Sequence, residues 1–134
     1  MDNPSAGKSA LGLDANVAAG LAYLPVCAIN LIMSIIILAT DKTNKLARFH
    51  AVQSLLLLGA GLVIGIPLYI LVIVGVFVDA ALGTMGIVSG LIGLVMVVFG
   101  LAFIAFLIIA CIKAFTGQIF KIPVIGNLAD KYSG

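Results

Sequence analysis

Three long apolar runs, Val17 to Ala39, Ala51 to Val78 and Ile87 to Ile112, are separated by short stretches in which polar residues gather. A helix that crosses a bilayer needs about 20 predominantly apolar residues at roughly 1.5 Å each, and each run is long enough. The pattern predicts an all-α integral membrane protein with three transmembrane helices. A tail, residues 1–16, precedes them, and an interfacial segment, Phe120 to Tyr132, follows. Residues 17–134 then form a single membrane domain. The second and third runs exceed what a bilayer core requires, so they tilt or continue as helix into the headgroup region. Asp79 with Gly83, Thr84 and Gly86 makes a short turn between them and folds them into an antiparallel hairpin. Pro25 interrupts the first run: it lacks a backbone donor and frees the carbonyl of Leu21. A kinked span is the leading reading, because neighbouring helices re-satisfy such breaks; the alternative is a re-entrant hairpin of two half-helices.

Composition fixes the solvent. The chain is 63% hydrophobic and 9% charged, against about 25% charged in an ordinary soluble domain, so the surface is built for lipid. The net charge of +2, without a clustered basic face, excludes nucleic acid as a partner. Placement of the charge matters more than its size. Lys42, Lys45 and Arg48 lie in the first polar stretch, and Lys113, Lys121 and Lys131 follow the third run. The Lys/Arg bias puts both in the cytoplasm, with the N-terminus outside if the first run spans. In the re-entrant alternative Lys8 joins the other six basic residues inside. The start of the chain has no basic region of the kind that opens a signal peptide, so the first run is expected to persist in the mature protein.

Helix faces add expectations about packing. Asn16, Gly20, Tyr23, Cys27, Asn30 and Ser34 recur at spacings of three and four, one face of an unbroken helix. An amide facing lipid would lose water without gaining partners, so this face is read as turned toward protein. Its intramembrane polar members, Tyr23, Cys27, Asn30 and Ser34, act either as polar glue between helices or as the lining of a transport path. Gly61, Gly65 and Gly75 line one stripe of the second helix, and Gly86, Gly90, Gly93 and Gly100 recur along the third. Glycine lets backbones approach in lipid, where close contact drives association, so the hairpin, or an oligomer, is expected to close on these positions.

Candidate chemistry is sparse. The sequence shows no phosphate-binding loop, paired carboxylates, metal-ligand cluster or nucleophile with a base partner, so it predicts a non-enzyme and implies no cofactor. The remaining polarity lies at two junctions. Asn44 is placed to cap a helix, and Arg48, His50, Gln53 and Ser54 follow where the second run begins. His50 is the only histidine, so a bis-histidine haem within one chain is excluded, and single axial ligation of a haem or chlorophyll stays an alternative. Near the other end, Pro123, Gly126 and Asp130 interrupt an otherwise apolar segment. The hairpin brings these junctions to one membrane face, where Arg48 has Asp130 as an expected partner and His50 or Gln53 reach carbonyls around Pro123. Together they form either a lid on the helix ends or a docking surface.

At these junctions, Arg48-Phe49-His50-Ala51-Val52-Gln53-Ser54 and Ile122 to Lys131, the sequence resembles a family of small bacterial and archaeal membrane proteins of unknown function. That family is related to a membrane subunit of the chloroplast inner-envelope protein-import translocon. The resemblance extends over nearly the whole chain after Asn16 and implies a polytopic helical protein without a catalytic residue to carry over. The expectation is an accessory or assembly subunit of the cytoplasmic membrane, multi-pass with its C-terminus inside. It packs against a larger membrane protein complex or against copies of itself. A transporter, channel or translocation component using the Asn30 face is the alternative.

Overall fold

The computed structural model describes residues 7–24 and 29–134. Among them are five helices: α1 (Ala15–Leu21), α2 (Ile29–Thr40), α3 (Lys45–Leu82), α4 (Ile87–Phe115) and α5 (Ile125–Tyr132). The all-α expectation holds; three spans are not confirmed. Among the described residues two helices, α3 and α4, are long and apolar enough to cross a membrane. The first run forms α1 and α2, of 7 and 12 residues, each short of the about 20 that a span takes.

The packing sets α2 against α1. Ala18 and Ala22 share a buried cluster with Ile37, and Ala47 and Ala51 of α3 complete it. Along one straight helix, residues 18 and 37 would stand about 28 Å apart at 1.5 Å per residue, so α2 has folded back on α1. Ala18 and Ala22, small and fully buried, leave room for that return, while Gly20 lies against the Phe115 ring. The Ala10 amide donates to Asp41 Oδ2 at 3.2 Å, which joins the two ends of the folded-back run. Pro25 and Cys27 lie outside the described residues.

The chain divides into two compact units. One comprises residues 1–58 and 106–134, the other residues 59–105. The second unit is the turn end of the α3–α4 hairpin. The turn predicted around Gly83 is present: Gly83 adopts φ +67°, and the Thr84 amide donates to the Asp79 carbonyl at 3.1 Å, which ends α3 in a left-handed cap. Gly117, φ +73°, ends α4 in the same way, with the Gln118 amide on the Lys113 carbonyl at 2.9 Å. Pro67 sits inside α3 and costs it one backbone bond. At its start α3 reaches six residues beyond the predicted run, because Asn44 Oδ1 accepts the Ala47 amide at 3.2 Å as an N-cap.

Asp79 has a larger part than a turn residue. Its Oδ1 accepts the Val88 amide at 2.9 Å and the Thr84 hydroxyl, and its Oδ2 accepts the Ser89 amide at 2.8 Å and the Ser89 hydroxyl at 2.6 Å. A carboxylate at the positive end of a helix is stabilised by unpaired amides and by the helix dipole. This residue near the end of α3 therefore ties down the start of α4.

Candidate functional site

The candidate site lies in the unit that holds both sequence junctions. Successive turns of α3 place Phe49, His50, Gln53 and Ser54 toward the interior, where all four are buried. Opposite them run the backbone segment that follows α4 and the end of α1. His50 Nε2 donates to the Gln118 carbonyl at 3.0 Å. A carbonyl only accepts, so this bond puts the proton on Nε2 and leaves Nδ1 as an acceptor. The Tyr23 hydroxyl, 3.1 Å away, donates to Nδ1 and itself accepts from Gln53 Nε2 at 2.9 Å. The second Gln53 amide hydrogen goes to the Phe120 carbonyl at 2.9 Å, and Gln53 Oε1 accepts the Ile122 amide at 3.3 Å.

The result is a closed network: Gln53 to Tyr23 to His50 to Gln118, with Gln53 also clamping residues 120 and 122. Tyr23 and Phe49 meet the His50 ring edge-on, with centroids 5.6 and 5.3 Å away, and burial pushes the Tyr23 phenol above its ordinary pKa, which keeps it a donor. Both His50 nitrogens are engaged. Axial ligation of a haem or chlorophyll through His50 needs a free ring lone pair, and this geometry offers none. The Ser54 hydroxyl donates to the Ala22 carbonyl, one of the acceptors left at the end of α1.

Of the expected contacts around Pro123, those of His50 and Gln53 form with the residues just before it, at 118, 120 and 122. The Arg48–Asp130 pair does not form. Arg48 donates from Nε to the Ser133 carbonyl at 2.8 Å and from Nη1 to the Asp41 carbonyl at 3.0 Å, while Asp130 is held by Lys121 at 2.8 Å. Lys121 is the closer competitor because α5 turns back on it. Gly126 permits the turn: a Cβ there would lie 2.6 Å from Lys121 Cα. Pro123 is exposed, and Val124 after it holds φ +66°, a strained value for a β-branched residue. A groove of about 280 Å³ lies at Lys45, Phe49, Ile119, Asp130, Ser133 and Gly134.

The polar stripe read along the first run does not exist as one face, because the helix is broken between α1 and α2. Tyr23 belongs to the His50 network, and Asn30 Oδ1 accepts the neighbouring Leu31 amide at 2.7 Å. Ser34 is buried near Ile37. Cys27 is outside the described residues. Without a shared face, the Asn30 path loses the pattern that suggested it.

The glycine stripes divide likewise. A Cβ at Gly61 would lie 2.8 Å from the Phe103 ring, and one at Gly75 would lie 3.0 Å from Ser89 Cα, so these two positions close the hairpin. Gly65, Gly90, Gly93 and Gly100 have nothing within 4 Å of that position, and Gly86, at φ +86°, serves the turn. Asn16, read as facing protein, donates its side chain to the Phe115 carbonyl at 3.0 Å. Sequence reading missed Asp41, which ties residue 10 to the loop before α3 and accepts the Asn44 amide at 3.1 Å. Asp41 and Asn44, spaced for successive turn and cap bonds, were the available signal.

A model of the magnetosome magnetite crystal formation protein family matches residues 13–129. A UPF0132 membrane protein of Methanocaldococcus jannaschii is 38% identical over 127 residues, covering 95% of this chain and 96% of that one. A UPF0132 membrane protein of Archaeoglobus fulgidus is 32% identical over 120 residues, 89% of this chain and 95% of its own. A second M. jannaschii protein of that description is 31% identical over 123 residues, 92% of this chain and 73% of its own. No solved structure matches. These relatives show the small-membrane-protein part of the resemblance and do not show a relation to the plastid translocon.

Proposed function

We propose, for a chain that belongs to the magnetosome magnetite crystal formation family and its UPF0132 membrane-protein relatives, a non-enzymatic role as an accessory or assembly subunit of the cytoplasmic membrane. The family description names crystal formation, whereas the archaeal relatives are described only as membrane proteins. The proposal keeps to what they share, a small membrane-embedded chain.

The observation that carries the reading is the closure of the buried polar network. The side chains with catalytic or ligating potential, Tyr23, His50, Gln53 and Ser54, hold α1, α3 and the segment after α4 together. A buried network with every member satisfied rigidifies a core. Unit 59–105 supplies the membrane part. Its share of α3, residues 59–82, is about 36 Å long at 1.5 Å per residue, enough for a core of about 30 Å. Its one charge is Asp79, while all seven Lys and Arg belong to the other unit. Lys/Arg bias then puts that unit, both ends of the chain included, on the cytoplasmic side.

Gly90, Gly93 and Gly100, bare in this chain, suit a helix from a neighbouring subunit or a second copy. Sizing of the protein from native membranes in mild detergent tests the role. The expected result is a species larger than the monomer that Gly90→Leu with Gly93→Leu reduces to monomer. A parent chain that is monomeric and free of other proteins would overturn it.

A further inference from the structure

Helix α5 shows three faces, and the network explains one of them. Gly126 and Ala129 are buried, with Ala129 packed against Phe49 and Val52. A second face, about 100° round from Ala129 at 100° per residue, carries Leu128 and Tyr132, at exposures of 42% and 62%. The spacing of four makes these two an apolar stripe, and Val124, 75% exposed, precedes it. The third face is polar, with Asn127, Asp130 and Lys131 exposed. Lys131 borders the stripe, its Nζ 5.8 Å from the Tyr132 ring centroid, and makes no ion pair among the described residues. Lys121 stands at the start of the same segment, with its charge shared by Asp130, and Lys45 lines the groove beside Phe49 and Asp130.

We propose that this outer stripe is seated in the headgroup layer of the bilayer and that Lys131 selects anionic lipid there. The inference rests on the reading of α3 and α4 as membrane spans and adds a lipid preference to it. Three observations favour lipid over a protein as occupant. The stripe joins an apolar face to a basic border, the pattern of a helix lying in the interface plane. Tyr132, with an apolar ring and a polar tip, is suited to headgroup depth. The unit that carries α5 holds all seven basic side chains and four of the five acidic ones, a net charge complementary to an anionic leaflet. The buried face meanwhile fixes α5 on the protein, so the stripe is presented in a set orientation and the lipid assembles around it.

The chain has no tryptophan, so Leu128→Trp gives a single fluorophore on the stripe. The full-length variant is placed in nanodiscs of 70% phosphatidylcholine and 30% phosphatidylglycerol, with bromine on the acyl chains of one lipid at a time. Quenching is compared at equal brominated fraction. The expected result is shielding from acrylamide and a preference of about fivefold for bromine carried by phosphatidylglycerol, the value of one lysine near an anionic surface. Adding Lys131→Gln should bring the two carriers to parity. Leu94→Trp on α4 reports embedding of the spans separately, because it should be quenched by either lipid. Equal quenching of the Leu128→Trp variant by both carriers would overturn the lipid selectivity. Free acrylamide access without lipid quenching would overturn the seating. Shielding from lipid and acrylamide alike would also overturn it, in favour of a protein or a second copy on the stripe.

Discussion

Replacing Gln53 by leucine keeps most of its volume and removes the amide that joins three elements. Its side chain is fully buried and makes three hydrogen bonds, to Tyr23 Oη and the Phe120 carbonyl at 2.9 Å each and from the Ile122 amide at 3.3 Å. Tyr23 keeps a partner in His50, so its loss is small. The Ile122 amide and the Phe120 carbonyl lose theirs. A buried polar group left unpaired costs about 1–3 kcal/mol, and the Phe120 carbonyl, at a partly exposed site, recovers some of this from water. The expected loss is roughly 2–4 kcal/mol, concentrated in the segment from residue 118 to 122. Local opening of that segment governs exchange of the Ile122 amide, so Gln53→Leu should speed its hydrogen exchange roughly 30- to 1000-fold. Amides in the middle of α4 should keep their rates. Exchange at Ile122 within about threefold of the parent, less than 1 kcal/mol of local stability, would refute the claim that Gln53 clamps the segment.

Gly126→Ala places a Cβ 2.6 Å from Lys121 Cα and should cost about 1–3 kcal/mol, seen as faster exchange throughout α5; Gly90→Ala, with nothing within 4 Å, should leave exchange unchanged. Asp79→Ala removes four hydrogen bonds from the start of α4 and should lower stability in detergent by about 2 kcal/mol, the upper end for a lost helix cap. Val124→Gly relieves a strained φ of +66° and should be neutral or stabilising in thermal unfolding, whereas Val124→Pro cannot adopt that φ and should release α5 to protease.

The environment and the hairpin were legible because they follow from counting: 12 charges among 134 residues, two long apolar runs, and a turn rich in glycine. The fold of the first run was not. A hydropathy window scores Val17 to Ala39 alike whether it forms one span or doubles back, and Pro25 alone does not decide between them. What decides is tertiary: alanines small enough to admit Ile37, and Asp41 placed to accept the Ala10 amide. The glycine stripes divided for a related reason. Spacing says which residues share a face, but whether that face is filled depends on the bulk opposite, as Phe103 fills the gap at Gly61 and nothing fills it at Gly65. The two junction motifs were correctly paired, yet Arg48 found carbonyls rather than Asp130, because Lys121 lies nearer in space to that carboxylate.

The central claim is that two helices cross the membrane and that both ends of the chain stay on its cytoplasmic side. In a background with Cys27 and Cys111 replaced by serine, single cysteines at Leu11, Thr43, Met85 and Lys131 are treated with an impermeant thiol reagent in intact cells. Met85, in the turn between α3 and α4 and almost wholly exposed, should label, and the other three should label only after the membrane is opened. Labelling of Leu11 together with Met85 in intact cells would restore three spans and contradict the account.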